Sequence, residues 1–155
     1  MRALVALLTL PIVLTGVALA APVAFVGAGD GARELLLPLD DGGRFRYTYE
    51  QSIYQVPVVE ELVRTGELIR IERVRSPDIR SVEYFRWDGT IRRAQDAYVQ
   101  DAPENGVREL VIRVTPAGQQ RLVTRARTVP LRETFGDTVV HVRPVVLPLL
   151  STVLP

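Results

Sequence analysis

The chain of 155 residues has no cysteine. Disulfides, thiol nucleophiles, thiolate metal sites and a lipid-modified N-terminal cysteine are therefore excluded. Export is not, because a domain of this size folds without cross-links. Lysine is also missing. All 19 basic residues are arginine, which reads as genomic bias rather than arginine-specific recognition. A single histidine, His141, leaves no ligand spacing for a bound metal. Block charge is lacking too: net charge is +1 and acids are interspersed with the arginines, so there is no nucleic-acid footprint. Long helical periodicity, internal repeats and linkers are equally missing.

What the sequence does hold is 47% hydrophobic residues, enough for one domain. Once the N-terminal segment is set aside, roughly 125–135 residues remain to bury a core without staples. Residues 1–29 carry one charge, Arg2, followed by an apolar run. A basic start, an apolar middle and Ala18-Leu19-Ala20 describe a secretory signal with an A-x-A site and cleavage after Ala20. The competing reading is an uncleaved anchor. As a helix, Ala3–Gly29 would span on the order of 40 Å against a bilayer core of ~30 Å, and membrane helices tolerate residues such as Pro11 and Pro22. Both readings place the following domain outside the cytoplasm. Gly27, Gly29 and Gly31 lack the strand-to-helix context of a phosphate loop and read as a flexible exit.

From residue 30 to 143 the pattern is short and extended. Arg33–Leu39 reads as a strand and Asp40-Asp41-Gly42-Gly43 as a turn. Arg44–Tyr54 follows as a long strand in which Phe45, Tyr47, Tyr49 and Ile53 alternate with polar residues. Val58–Arg64 and Glu67–Arg75 flank a Thr65-Gly66 hairpin. Ile79–Trp87 is expected to be extended, with Asp88-Gly89 turning it into Thr90–Ala94. Gln95–Gly106 is polar, a short helical turn or a loop. Val107–Val114, Gln119–Val129 and Thr138–Arg143 complete the set. About eight short strands with turn chemistry between them predict an all-β domain, a sandwich or partly open barrel. The uncharged tail, residues 144–155, has three prolines and is too broken to span a membrane. It is expected to pack along a sheet edge, or to serve as a sticky segment for a membrane-bound partner.

One polar interruption stands out. Gln51 sits where the alternation of Arg44–Tyr54 calls for a hydrophobe. If Tyr54–Pro57 close an even-length hairpin loop, Ile53 pairs with Val58, Gln51 with Glu60 and Tyr49 with Leu62. An odd loop would oppose Ser52 to Glu60. Either way a polar cluster lies beside Pro57, and its carboxylate must be hydrogen-bonded or near solvent. The cluster either fixes strand register or forms a contact site at the mouth of the sandwich. Ser52 and His141 could be imagined as nucleophile and base, but no G-x-S-x-G elbow surrounds Ser52. Paired acids at Asp40-Asp41 and Glu60-Glu61 read as turn and strand. Arg70, Arg73, Arg75 and Arg80 read as an anion-binding surface or, equally, as cross-strand ion pairs.

At these residues the chain resembles the domain-of-unknown-function family 1850, small exported bacterial proteins. The resemblance runs from about Leu35 to Pro144. It is carried by Gly42-Gly43-Arg44-Phe45, Tyr47-Thr48-Tyr49, Gln51-Ser52-Ile53 and Pro57-Val58-Val59-Glu60, with Glu72-Arg73, Leu110–Val114, Arg121-Leu122 and Pro130-Leu131 in the later strands. Gln51 stands where the family has His, and Ser76-Pro77-Asp78-Ile79 replaces a Gly-Ala-Gly-type segment. The resemblance implies a non-enzymatic, extracytoplasmic accessory without a cofactor, acting beside a TRAP-type solute receptor or permease of the TAXI kind. Its motif residues are Gln51, Ser52, Pro57 and Glu60, and its membrane tie is the N-terminal segment. The alternative function is a small-ligand-binding domain using Gln51, Glu60 and nearby arginines.

Overall fold

A computed structural model describes residues 20–148. They form two antiparallel sheets packed face to face, so the all-β expectation is met. The first sheet has four strands. Its members are β1 (Ala20–Ala28), β2 (Glu34–Pro38), β9 (Leu110–Arg113) and β12 (Val139–Pro148), in the order β2-β1-β12-β9. The second sheet contains β3 (Arg44–Gln51), β4 (Val56–Thr65), β5 (Leu68–Ser76), β6 (Arg92–Ala94), β7 (Ala97–Asp101), β10 (Arg121–Val123) and β11 (Thr128–Pro130). Their order is β11-β10-β3-β4-β5-β7-β6, and the two-residue β8 (Gly106–Val107) pairs with β5. Two short helices interrupt the strands, α1 (Ile79–Glu83) and α2 (Leu131–Phe135).

The main core lies between the sheets. Ala24, Val26, Leu37, Ile112, Val140 and Val142 come from the first sheet; Phe45, Leu62, Ile69, Leu122 and Val129 face them from the second. A smaller core beneath α1 packs Val58, Val74 and Val82 with Tyr49, Phe85, Trp87, Ile91 and Tyr98.

Several sequence expectations are corrected. The domain begins before residue 30 and runs past residue 143. Ala20–Ala28 is β1, paired on both sides, and Val23, Ala24 and Val26 are buried. A membrane helix reaching Gly29 is thus replaced by a strand, because alternate residues of this run fill the inter-sheet core. Pro144–Pro148, the first part of the tail, is part of β12 rather than a cap and pairs with Ala20–Ala24. The register explains how it tolerates proline. Pro22, Pro144 and Pro148 all fall on one parity of the β1–β12 ladder, and the Pro22 carbonyl accepts the Leu39 N–H on the β2 side instead. Residues lacking N–H can occupy those positions without removing a β1–β12 bond. The signal or anchor reading of residues 1–19 and the rest of the tail, 149–155, lie outside the described residues.

Ile79–Trp87 is not extended. Asp78 caps a helix there, its Oδ1 accepting the Arg80 N–H at 2.9 Å. Conversely, Ala97–Asp101 within the supposed loop is β7. It is joined to β6 by a two-residue turn in which Gln95 takes φ 56°. Val107–Val114 is split between the sheets, β8 in one and β9 in the other.

Candidate functional site

The β3–β4 hairpin sets the site. Its turn is Ser52–Gln55, not Tyr54–Pro57: Gln51 pairs with Val56, Tyr49 with Val58, Tyr47 with Glu60 and Phe45 with Leu62. The Gln55 N–H closes the turn on the Gln51 carbonyl at 2.8 Å, with Gln55 at φ 53°. The expected Gln51–Glu60 pairing is therefore shifted by four residues. Pro57 sits within β4, near its start, where a missing N–H is tolerated. Its carbonyl accepts the Ser76 hydroxyl at 3.0 Å. Because the shift is even, Gln51 and Glu60 still share the inner face of the sheet, and both are buried.

Each has a different partner. Gln51 Oε1 accepts the Ser81 hydroxyl of α1 at 2.9 Å, a bond with both ends buried. It ties the hairpin to the helix that roofs the smaller core. Ser81→Ala should leave the Gln51 oxygen without its donor and cost about 1–3 kcal/mol in chemical denaturation. Adding Gln51→Leu to that variant is expected to restore part of the loss.

Glu60 lies between the two cores, with Phe45 and Leu62 on one side and Val58 and Val74 on the other. Across the sheet its row reads Tyr47, Glu60, Val74, Gln100. Tyr47 and Tyr49 stack at 4.9 Å between ring centroids, and the Tyr49 hydroxyl donates to the Glu60 carboxyl. Burial pushes the Glu60 carboxyl up to about 7, only partly opposed by that hydrogen bond. Burial likewise raises both phenols far above their ordinary range, so they are neutral donors at every physiological pH. Glu60 is 8% exposed, and neither it nor Gln51 lines any of the five surface hollows described.

The other two motif residues face outward. Ser52 is exposed in the turn, and Pro57 lines a hollow of about 340 Å³ on the outer face with Arg46 and Arg75. The motif thus divides into a buried pair, Gln51 and Glu60, and an exposed pair. Beside Ser52, the turn and α1 each expose apolar side chains. Ile53 is 60% and Tyr84 58% exposed, Ile79 is also exposed, and the Arg80 guanidinium lies over the Tyr54 ring at 4.7 Å. Sequence reasoning missed these exposed side chains because it read Ile53 as part of a half-buried strand and Ile79–Trp87 as extended. The Asp78 cap signal before Ile79 would have found the helix.

Ser52 and His141 do not meet. Ser52 belongs to the second sheet's hairpin turn, whereas His141 lies on the outer face of the first sheet, its Nδ1 3.0 Å from Glu109 Oε1. Arg73 and Arg75 pair with Glu61 at 3.4 and 3.7 Å, Arg70 approaches Glu104 at 3.8 Å, and Arg80 pairs with Asp78. The four arginines are thus engaged in ion pairs rather than gathered around one anion site. Among the described residues no group of three His, Asp or Glu is placed to hold a metal, and no helix is long and apolar enough to cross a membrane. No protein family, curated protein or solved structure matches the chain.

Proposed function

We propose that this chain is an exported, membrane-associated module that works by contact rather than catalysis, as an accessory to a TRAP-type (TAXI) solute-uptake system. The observation that carries the contact reading is the enclosure of the polar motif. Gln51 and Glu60 are both buried, and Gln51 is bonded to Ser81 of α1, which ties the hairpin turn to the helix. That unit presents Ile53, Ile79 and Tyr84 to solvent, side chains of the kind that protein partners use. The tie to solute uptake rests on the motif in Arg44–Glu60 and on the export segment, and the partner is the solute receptor or permease.

A small-ligand reading centred on Gln51 and Glu60 needs an opening to both, whereas both are buried and neither lines any of the five hollows described. Contact is therefore the better supported of the two. Pull-down of the full chain from membranes in mild detergent should recover the receptor or permease. Recovery of the chain alone, with those proteins present, would count heavily against the proposal.

A further inference from the structure

The second sheet is wider than the first, seven strands in line against four, and two coverings share its inner face. The first sheet covers one part and builds the main core; α1 and the segment after it cover another and build the smaller core. Between the two coverings, over β4 and β5, lies a hollow of about 220 Å³. Its floor is Leu62 and Ile69, both buried, with Ile71 beside them. Leu110, on the edge strand β9, lines it from the main core, and Trp87 lines it from the smaller one. The rim is open: Val107 is 48% exposed, and Asn105 is exposed beside it.

Both walls are fixed by the fold. Gln100, itself buried, donates from Nε2 to the Trp87 and Gly89 carbonyls at 3.0 and 3.3 Å, and the Phe85 ring packs 4.6 Å from that of Trp87. On the other side β8, which supplies Val107, lies close on β5 because residue 106 is glycine. A Cβ there would meet the Leu68 Cβ at 3.1 Å.

The lining narrows the choice of occupant. Of its nine residues eight are apolar and none is charged; Asn105 is the exception. Water in such a space finds too few polar partners to be held firmly, and an apolar group that displaces it gains affinity. A charged ligand would lose hydration with nothing in return. An apolar cavity of about 150 Å³ takes benzene, so this one has room for a ring with a short substituent. Trp87 offers that ring an aromatic neighbour, and the Asn105 amide can bond one polar substituent at the rim. We infer that the hollow binds a small uncharged aromatic molecule of the phenol class, its ring against Trp87 and its polar substituent at Asn105. The site lies apart from Gln51 and Glu60 and does not depend on the contact reading above.

Trp87 is the only tryptophan in the chain, so its emission reports on the hollow directly. The full chain would be titrated at neutral pH with para-iodophenol, whose iodine quenches a tryptophan it touches, and with para-iodobenzoate, which carries the same ring and a charge. Quenching by iodophenol should saturate at one molecule per chain, and quenching by iodobenzoate should rise only linearly. Ala102, half-buried, also lines the hollow, and Ala102→Leu should fill it and weaken the saturable phase several-fold with circular dichroism unchanged. Should that variant not fold, Val107→Phe at the exposed rim carries the same comparison. Linear quenching by both probes would leave the hollow to a protein partner's side chain and overturn the inference. Saturation that the filled variant leaves untouched overturns it too, since the probe would then sit elsewhere. Equal saturation by both probes overturns the assignment to an uncharged ligand.

Discussion

Glu60→Gln should stabilise the domain at pH 8 and leave its stability at pH 4 unchanged. The unfolded carboxyl titrates near its ordinary 4.5, whereas burial moves the folded one to about 7. Between those values the native state binds the proton that the unfolded state has lost, so stability falls as pH rises through this window and levels off above it. The 2.5-unit difference corresponds to about 3 kcal/mol, which for a domain of this size is roughly 10 °C in Tm. Glutamine keeps an acceptor for the Tyr49 hydroxyl and carries no charge, so the variant should lose this slope. The groups facing Glu60 are Tyr47 and Tyr49, neutral throughout, so no neighbouring charge masks the effect. Asp78, Asp101 and Glu109 are held low by hydrogen bonds from Arg80, Arg92 and Arg143, and they titrate below the window. Denaturation midpoints of both proteins from pH 4 to pH 8 provide the check; parallel curves would mean that Glu60 is solvated.

Val26→Asp should abolish folding, with a loss of about 4 kcal/mol or more. Val26 is 0% exposed, and an aspartate there would put an unpaired charge in the main core. Leu36→Asp, on the neighbouring strand but facing outward and 44% exposed, should change stability by only about 0.5 kcal/mol. Thermal unfolding of the two variants separates a core strand at Ala20–Ala28 from an appended leader or anchor, which would tolerate both substitutions.

Much of the sandwich was legible because its signals are local. A short apolar run marked β2, alternation β3 and a hairpin signal β4 and β5, and the two-residue Gly66-Glu67 turn, with Gly66 at φ 62°, fell where Thr65-Gly66 had marked it. What failed was whatever depends on partners distant in sequence. β1 looked like part of a leader because a strand buried on its core face and flanked on both sides is as apolar as a membrane segment. The inner face of β5 is likewise set by pairing. Simple alternation groups Val74 with Arg70 and Glu72, but a bulge leaves Glu72 unpaired and returns Val74 to the inner face, a device set by pairing with β4.

At the site, the composition of the polar cluster was readable and its geometry was not. Pro57 looked like a turn residue, so the hairpin was closed four residues too late. Parity survived that error, and with it the placement of Gln51 and Glu60 on one face. The true partners, Ser81 and Tyr49, could not be reached: Ser81 depends on α1, and Tyr49 was assigned to face Leu62. The resemblance to exported accessory proteins named the motif but could not say which of its residues build the fold and which meet a partner.

That division of labour is open to one comparison: membrane pull-down of full-length Glu60→Gln beside Ile53→Asp, each folded by circular dichroism. The expected result is that Glu60→Gln recovers the uptake-system partner as well as the unaltered chain does, while Ile53→Asp loses most of it. Loss of the partner in Glu60→Gln, with recovery intact in Ile53→Asp, would contradict the division and make the buried cluster the functional site.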